Sequence, residues 1–398
     1  MSPDDAPAAL LLTERVWGSP LHAMRSIHAL GAPVLVATAG RGSHVFGRSR
    51  VRARTIDLDA AAGPAYLDAA TTWARSLEPD RPIVVIPFSD RTAEAMHTHR
   101  HLLTAPFRPV LAGEAAMGAL LDKASSMRVA EQAGLTVPPW RELAGPDDVQ
   151  RIHDLRPPVV LKPSTWRSSG VVPFKISVHH DPTEAASVAS AAIAGGAVLV
   201  AQEYRTVPVE AVEFALTWTS DDGSRSAVCA GRKCRQSAPE GGVMSWGVTA
   251  DLPDVDDGAR RFIDASGYTG PGGIEFIRTD AGLEFIEFNP RLEAIHFLAA
   301  AAGIDIVRLA YDEAATGRRP SHPTVPVDAA AWIGSAWFGR LQQRPGDLRL
   351  CIGDRIRFAR SPRRERAVLT WRDPAPALAV VADVLSAASR RLTSARRS

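Results

Sequence analysis

The chain has 398 residues, of which 45% are apolar and 23% charged, a composition typical of a soluble globular protein with two or three domains. The formal net charge of +2 lacks the basic surplus of a dedicated nucleic-acid binder, so nucleic acid is not an expected partner. We find neither a signal peptide nor an apolar run long enough to span a membrane. Three cysteines, with no second pair to complete a zinc site, favour reduced thiols and a cytoplasmic location.

The first part of the chain, residues 1–115, shows alternating short strands and helices. Strands are predicted at 9–12, 33–37 and 83–88, and a helix at 20–30. Short apolar strands separated by helices indicate a parallel sheet covered on both faces, so we expect an N-terminal open parallel α/β domain. Neither G-x-G-x-x-G nor G-x-x-x-x-G-K-[ST] occurs, which argues against a dinucleotide or P-loop site of the common kinds.

The middle of the chain, residues 116–320, is rich in predicted strands of mostly antiparallel character. A helix is predicted from Lys123 to Ala133, because Gly134 and two prolines follow it. Strands are predicted at 158–163, 197–204, 212–219, 226–231, 273–278 and 283–288, with a turn at 164–170 and a closing helix at 295–316. After a linker at 318–323, residues 321–398 are predicted to form a small α+β extension that ends in a helix at 374–392.

The pattern with the most chemical content is a predicted hairpin with a turn at 279–282. Residues i and i+2 of a strand share a face, so Glu287 and Asn289 lie on one side, and pairing can bring Glu275 opposite them. Two carboxylates and an amide oxygen form the hard oxygen cluster that Mg2+ prefers, and Arg291 adds a fork-shaped cation suited to phosphate or carboxylate. From spacing alone, an ordinary hairpin with exposed polar residues is the favoured interpretation.

The sequence Glu287-Phe-Asn289-Pro-Arg291, with an acidic residue twelve positions upstream, resembles the ATP-grasp superfamily. The resemblance implies an ATP-grasp fold of two subdomains over residues 116–320, with ATP and Mg2+ (or Mn2+) as cofactors. It implies that Glu275, Glu287 and Asn289 hold the metal ions bridging the ATP phosphates. It also implies that Arg291 contacts phosphate or the reacting carboxylate.

Four further segments resemble family motifs, in the expected order. Leu121-Asp122-Lys123 ahead of a helix and Val159-Val-Leu-Lys162-Pro163 on a strand resemble the two basic positions that reach the ATP phosphates. Gln202-Glu203-Tyr204-Arg205 resembles the hinge that receives adenine, and Glu210 matches the acid that takes the ribose hydroxyls. The implied nucleotide-binding residues are Lys123, Lys162, Ser169 and Gly170 in the loop over the phosphates, Glu203, Tyr204 and Glu210. Solvated surface charges are the alternative interpretation of each motif taken alone.

The segment from Gly231 to Gly242 is basic and then glycine-rich. One interpretation is a mobile lid whose Arg232, Lys233 or Arg235 grips a carboxylate or the γ-phosphate, with Arg235 preferred as a catalytic residue beside Arg291. The other interpretation is a surface hairpin with a solvated basic strand.

These features predict an ATP-dependent carboxylate–amine ligase that forms an amide through an acyl phosphate and releases ADP and phosphate. Its expected partners are a small-molecule carboxylate and an amine, with amino acids or a natural-product acid favoured and a homodimer left open. The segment Trp371-Arg-Asp-Pro-Ala-Pro376 is loosely similar to carboxylate–amine ligases of the superfamily. Two alternatives stay open: another ATP-grasp chemistry, such as carboxylation or formyl transfer, and a non-catalytic ATP-binding protein.

Overall fold

The computed structural model describes residues 6–14, 18–59, 63–238, 241–319, 321 and 328–383. The chain forms two compact units: the first contains Met1–Val110, Tyr311–Arg318 and Arg366–Ser398, and the second contains Leu111–Ala310 and Arg319–Glu365. The division at residues 115 and 320 stays a prediction. The predicted linker falls partly outside the described residues, as does the end of the last helix, of which residues 375–383 are helical.

The first unit contains a parallel sheet. Its strands are β1 (Ala8–Thr13), β2 (Val34–Ala39), β3 (Arg54–Leu58), β4 (Ile83–Pro87) and β5 (Phe107–Pro109), and its helices are α1 (Gly18–His28), α2 (Ser43–Gly47), α3 (Pro64–Leu77), α4 (Asp90–Thr98) and a 3-10 turn at Arg100–Leu103. The spatial order is β3-β2-β1-β4-β5, with every neighbouring pair parallel. β1 and β4 are mostly aliphatic and buried along their whole length, as expected for a sheet covered on both faces. The predicted open parallel α/β fold is confirmed.

The second unit begins with a smaller antiparallel sheet. Its elements are α5 (Glu114–Leu120), α6 (Lys123–Gln132), β6 (Trp140–Leu143), a 3-10 helix at Pro146–Asp154, β7 (Val159–Pro163), α7 (Trp166–Ser169), β8 (Ser177–His179), α8 (Pro182–Ala194) and β9 (Leu199–Glu203). The strand order is β6-β9-β7-β8. Residues such as Val159, Leu161, Leu199 and Ala201 pack in a core with α8 and the 3-10 helix. The residues that alternate with these along the strands, such as Lys162 and Gln202, therefore lie on the opposite face of the sheet.

The larger sheet of the second unit has seven strands. The elements in this part of the chain are a 3-10 turn at Val209–Ala211, β10 (Val212–Thr219), β11 (Ser226–Gln236), β12 (Met244–Thr249), α9 (Pro253–Ser266), β13 (Gly270–Thr279), β14 (Gly282–Asn289), α10 (Phe297–Ala301), α11 (Ile306–Thr316), β15 (Ala330–Trp332), α12 (Gly334–Gln343), α13 (Leu348–Arg360) and β16 (Arg364–Arg366). From Tyr311 onward, α11 belongs to the first unit. The order is β14-β13-β10-β11-β12-β15-β16, and the pairs from β14 to β15 are antiparallel.

Aromatic packing decides which face of the β13–β14 hairpin is buried. The Phe262 ring of α9 lies 5.1 Å from the ring of Phe285 and 5.0 Å from that of Phe288, and Phe276 also contacts Phe285. Phe285 and Phe288 share this face because the register of the hairpin shifts between Glu275 and Phe276, where β14 contains an extra residue. Glu275 and Glu287, which directly precede Phe276 and Phe288, therefore lie on the other face of the sheet.

Three local predictions needed correction. The helix predicted at 295–316 is two helices, because Gly303 adopts a φ of +101°, a conformation that favours glycine and ends a helix. The strand predicted at 226–231 continues to Gln236, and the turn predicted at 164–170 contains the short helix α7. Within the described part of the chain, no helix is both long and apolar enough to cross a bilayer.

Candidate active site

The β13–β14 hairpin brings the predicted acidic residues together. Glu275 pairs directly with Glu287, and Gly273 pairs with Asn289 two residues further along. Directly paired residues point to the same face, so both carboxylates and the Asn289 amide share the face opposite the buried phenylalanines. Arg291 stays close to this face, since its Nη2 donates to Asn289 Oδ1 at 3.4 Å. The sequence-based hairpin geometry is confirmed.

This donor set fits a magnesium ion that is completed by a substrate. Among the residues described, no group of three His, Cys, Asp or Glu side chains is arranged to hold a metal ion by itself. Mg2+ commonly binds through only one or two carboxylates, with phosphate oxygens and water as its remaining ligands. Glu275, Glu287 and Asn289 provide two carboxylates and one amide oxygen, and their assignment as metal ligands stays a prediction.

Lys162 projects from β7 on the face opposite the core of the small sheet. The residue is 7% exposed, and its ammonium group donates to Gln202 Oε1 at 3.0 Å. Burial lowers the pKa of Lys162, the Glu287 and Glu275 carboxylates oppose that shift, and the positive charge of Lys123 adds to it. Charges from both sheets of the second unit therefore act on one buried ammonium group, as in a shared site.

Lys123 is held beside the end of β7 by the start of α6. The Asp122 side chain caps this helix by accepting from Ser125 N at 2.7 Å, and its other oxygen accepts from Ser164 Oγ at 2.6 Å. The Lys123 amide donates to Ser164 O at 3.0 Å. These contacts join the residue before Lys123 to the residue after Pro163, which explains how two distant basic motifs meet.

In the loop predicted to cover the phosphates, some of the polar groups already form hydrogen bonds to the protein. The amide of Gly170 donates to Arg167 O at 3.1 Å, and the Ser168 hydroxyl accepts from Val198 N at 3.0 Å. The Gly170 N–H therefore does not point outward to cradle a phosphate in this conformation, contrary to the expectation. Ser169 lies in α7, next to Gly170.

The structure corrects the expected role of Glu203 and identifies a residue that we missed. Glu203 accepts hydrogen bonds from Arg156 and Arg205 at 3.0–3.1 Å, and these pairs hold its pKa low although burial opposes the shift. Gln202, its neighbour in β9, points instead to the Lys162 face, where its buried Nε2 has no partner among the described residues. Strand alternation separates the two side chains, but only the register with β7 shows which one faces Lys162.

Tyr204 and Glu210 are the other two residues of the predicted adenine and ribose site. Tyr204 directly follows β9, and its amide donates to Pro158 O at 2.8 Å. Glu210 is exposed in the 3-10 turn Val209–Ala211. Both assignments stay predictions.

The basic segment after Gly231 is a strand rather than a lid. Arg232, Lys233 and Arg235 all lie in β11, and the last two are buried. Arg235 forms a bidentate pair with Asp354 of α13, with distances of 2.7 and 3.1 Å, so its guanidinium group is committed to the protein. The preference for Arg235 was therefore wrong. Lys233 is the residue of this segment that reaches the acidic face, where its Nζ lies 2.7 Å from Glu275 Oε2.

The distribution of lysines supports a single site for anions. Of the 46 lysines and arginines only four are lysines. Lys233 contacts Glu275, the charges of Glu287 and Glu275 act on Lys162, and the charge of Lys123 acts on Lys162. The fourth, Lys175, is exposed. Since lysine is a compact, mobile point charge suited to phosphate, its concentration here distinguishes this face from the arginine-rich surface.

Comparison with solved structures identifies proteins of the same architecture. An N5-carboxyaminoimidazole ribonucleotide synthetase in complex with ADP matches with a TM-score of 0.62 and 15% identity, covering 81% of this chain and 80% of that one. Biotin carboxylase from Campylobacter jejuni, in a β,γ-ATP complex, matches with a TM-score of 0.62 and 18% identity over 83% and 75% of the two chains. The biotin carboxylase domain of 2-oxoglutarate carboxylase from Hydrogenobacter thermophilus, a dimer with MgADP and bicarbonate, matches with a TM-score of 0.61 and 19% identity. The match covers 82% of this chain and 73% of that one.

Sequence comparison adds less. No family model matches the chain. The multifunctional protein pyrABCN of Emericella nidulans is 25% identical over 195 residues, which are 46% of this chain and 8% of that protein. The chain thus spans a small fraction of this relative, and the solved structures, all below 20% identity here, establish the architecture alone.

Proposed function

The chain has the ATP-grasp fold, and from that premise we propose that it is an ATP-dependent ligase that activates a carboxylate and joins it to an amine. The observation that carries this proposal is that the charges of Lys123, Glu287 and Glu275 all act on the buried ammonium group of Lys162. Cations suited to phosphate and carboxylates suited to Mg2+ are then within reach of one triphosphate.

In the proposed reaction, these residues bind the metal ion, bind the phosphates and orient the substrate carboxylate. Glu275, Glu287 and Asn289 would hold Mg2+, which when bound neutralises phosphate charge and orients the γ-phosphoryl group. Lys123 and Lys162 would bind phosphate oxygens. The interaction of Lys162 with a phosphate would be the stronger one, because its buried ammonium group donates only to the neutral Gln202 carboxamide among the contacts described. Arg291, which lies beside Asn289, would orient the substrate carboxylate by two parallel N–H donations.

A free carboxylate must be activated before an amine can displace one of its oxygens, because hydroxide or oxide is a poor leaving group. A carboxylate oxygen attacks the γ-phosphorus, the bond to the β-phosphate oxygen breaks, and ADP leaves. The amine nitrogen then attacks the acyl carbon, loses a proton, and expels inorganic phosphate. No nucleophilic side chain is needed, because the chain's own residues contribute positioning and charge stabilisation.

The proposal is tested by an amino-acid matrix screen for phosphate release, with product masses read by mass spectrometry. We expect ADP and phosphate to form only when an acid and an amine are both present with Mg-ATP. AMP and pyrophosphate would contradict the acyl-phosphate scheme. Nucleotide binding in calorimetry without turnover across a broad panel would instead favour a binding protein.

Paired variants connect the reaction to the site. Lys162→Met and Glu287→Ala should each lower kcat/KM by about 10²- to 10³-fold, the usual effect of removing one electrostatic contact in a transition state. Lys175→Met removes an exposed lysine from the same subdomain and should leave turnover unchanged. Normal turnover of Lys162→Met would remove this residue from the proposed chemistry.

Carboxylation is a second candidate, because two of the matched structures are named as biotin carboxylases and one as a carboxyaminoimidazole synthetase. The same residues would then activate bicarbonate in place of an organic acid. Bicarbonate-dependent ADP release without any added organic acid would favour this reaction over amide formation.

A further inference from the structure

Lys233 occupies a position that the proposed metal chemistry does not explain. In the register of the large sheet, Phe214 of β10 pairs with both Gly231 and Glu275, so Lys233 shares the Glu275 face. Arg232 points to the opposite face, where it lies 3.5 Å from Glu213. The Lys233 ammonium group lies 2.7 Å from Glu275 Oε2, and its side chain is only 6% exposed.

The surroundings of Lys233 keep it charged. Burial disfavours the ammonium form, but Glu275, Glu287 and Glu293 outweigh burial and raise the pKa of Lys233. Glu293 is held close because Gly273 has no side chain: a Cβ there would lie 2.2 Å from Glu293 Cγ. Glu275, a proposed metal ligand, thus contacts this ammonium group directly, and Glu287 and Glu293 act on it electrostatically.

A divalent ion and this ammonium group compete for the same carboxylate. Mg2+ binds carboxylate oxygens at about 2.0–2.1 Å, and two neighbouring cations repel each other strongly in a partly buried site. A bound triphosphate changes the balance, since its oxygens offer the ammonium group an alternative anionic partner.

We propose that Lys233 is a positioning residue that holds Glu275 while no metal is bound and transfers its ion pair to the nucleotide phosphates when the metal–nucleotide complex enters. This inference rests on the proposed function. It predicts that Lys233 weakens the binding of metal alone and strengthens the binding of metal with nucleotide. A lysine that stayed paired with Glu275 throughout would make no phosphate contact, so its removal would not weaken the binding of metal with nucleotide.

The test uses the full-length protein, Mn2+ as the probe for metal alone, and a non-hydrolysable β,γ-methylene ATP analogue with saturating Mn2+. Free Mn2+ is followed by electron paramagnetic resonance and analogue binding by calorimetry. In Lys233→Met we expect Mn2+ alone to bind at least about tenfold more tightly, because a charge close to the metal site is removed. The analogue should bind at least about tenfold more weakly, because a phosphate contact is lost.

Control variants separate this inference from its alternatives. Lys175→Met should alter neither affinity, and Lys233→Gln, which keeps a polar group, should repeat both effects if Lys233→Met fails to fold. Unchanged affinities, or a loss of both together, would overturn the proposed exchange while leaving the proposed function intact. Failure of the unaltered protein to bind either probe would overturn the proposed function as well.

Discussion

Removing Asp354 tests whether Arg235 is a structural residue. The Asp354 side chain is 1% exposed and that of Arg235 10% exposed, and the guanidinium group makes two hydrogen bonds to the carboxylate. Asp354→Ala leaves a buried guanidinium group without its counter-ion, and breaking such a pair typically costs about 3–5 kcal/mol. We therefore expect the free energy of unfolding of the second unit to fall by about this amount.

Urea denaturation with tryptophan fluorescence measures the effect locally. The Trp332 ring lies 5.5 Å from the ring of Phe358 on the same helix as Asp354, so a variant that keeps Trp332 and carries phenylalanine at the other eight tryptophan positions reports on the packing of α13. The double variant Arg235→Met/Asp354→Leu removes both charges and should regain most of the loss, because apolar residues of similar volume replace a buried pair well.

A surface pair provides the matched control. Asp257→Ala breaks an exposed helical ion pair with Arg261 and should cost less than about 1 kcal/mol. A cost below about 1 kcal/mol for Asp354→Ala, or a double variant as unstable as the single one, would refute the assignment of Arg235 as a structural residue.

Three further predictions concern the nucleotide face, the first unit and the thiols. Gln202→Leu removes a buried amide beside Lys162 and should weaken ATP binding about tenfold in calorimetry, which equal affinity would contradict. Asp373 accepts from Ser49, Arg25 and the Arg50 amide, and these donors lower its pKa although burial opposes them. The stabilisation by the ionised Asp373 is therefore present above about pH 4 and is lost as the pH falls through the lowered pKa. The difference in unfolding free energy between the unaltered protein and Asp373→Asn should shrink below about pH 4, as measured by urea denaturation at several pH values. Burial raises the pKa of Cys229 and Cys234 to about 12, so neither thiol should react with Ellman's reagent at pH 8 before unfolding, and fast labelling would show that the sheet opens.

Local patterns were sufficient wherever one strand or hairpin determines the geometry. The i, i+2 rule and the predicted hairpin placed Glu275 opposite Glu287 and Asn289, and the short aliphatic strands separated by helices predicted a parallel sheet. The errors concern partners distant in sequence. Arg235 is committed to a carboxylate 119 residues away, which no spacing rule reveals.

The hinge shows the same limit within a single strand. The alternation of β9 separates Gln202 from Glu203, but the side that faces Lys162 depends on pairing with β7, 40 residues earlier. The identity of the residue before Glu203 was visible in the sequence, whereas its orientation was set by the register of the sheet.

The first unit is assembled from three separated segments of the chain, and this has a consequence for biosynthesis. The Tyr311 hydroxyl donates to Pro7 O across 304 residues, and Ser49 donates to Asp373 across 324. During translation, the amino-terminal strands leave the ribosome long before these contacts can form, whereas every residue of the second unit has been synthesised once Glu365 is reached. We expect the nascent chain to complete its middle portion first, so that the earliest residues to be synthesised are among the last to reach their native packing.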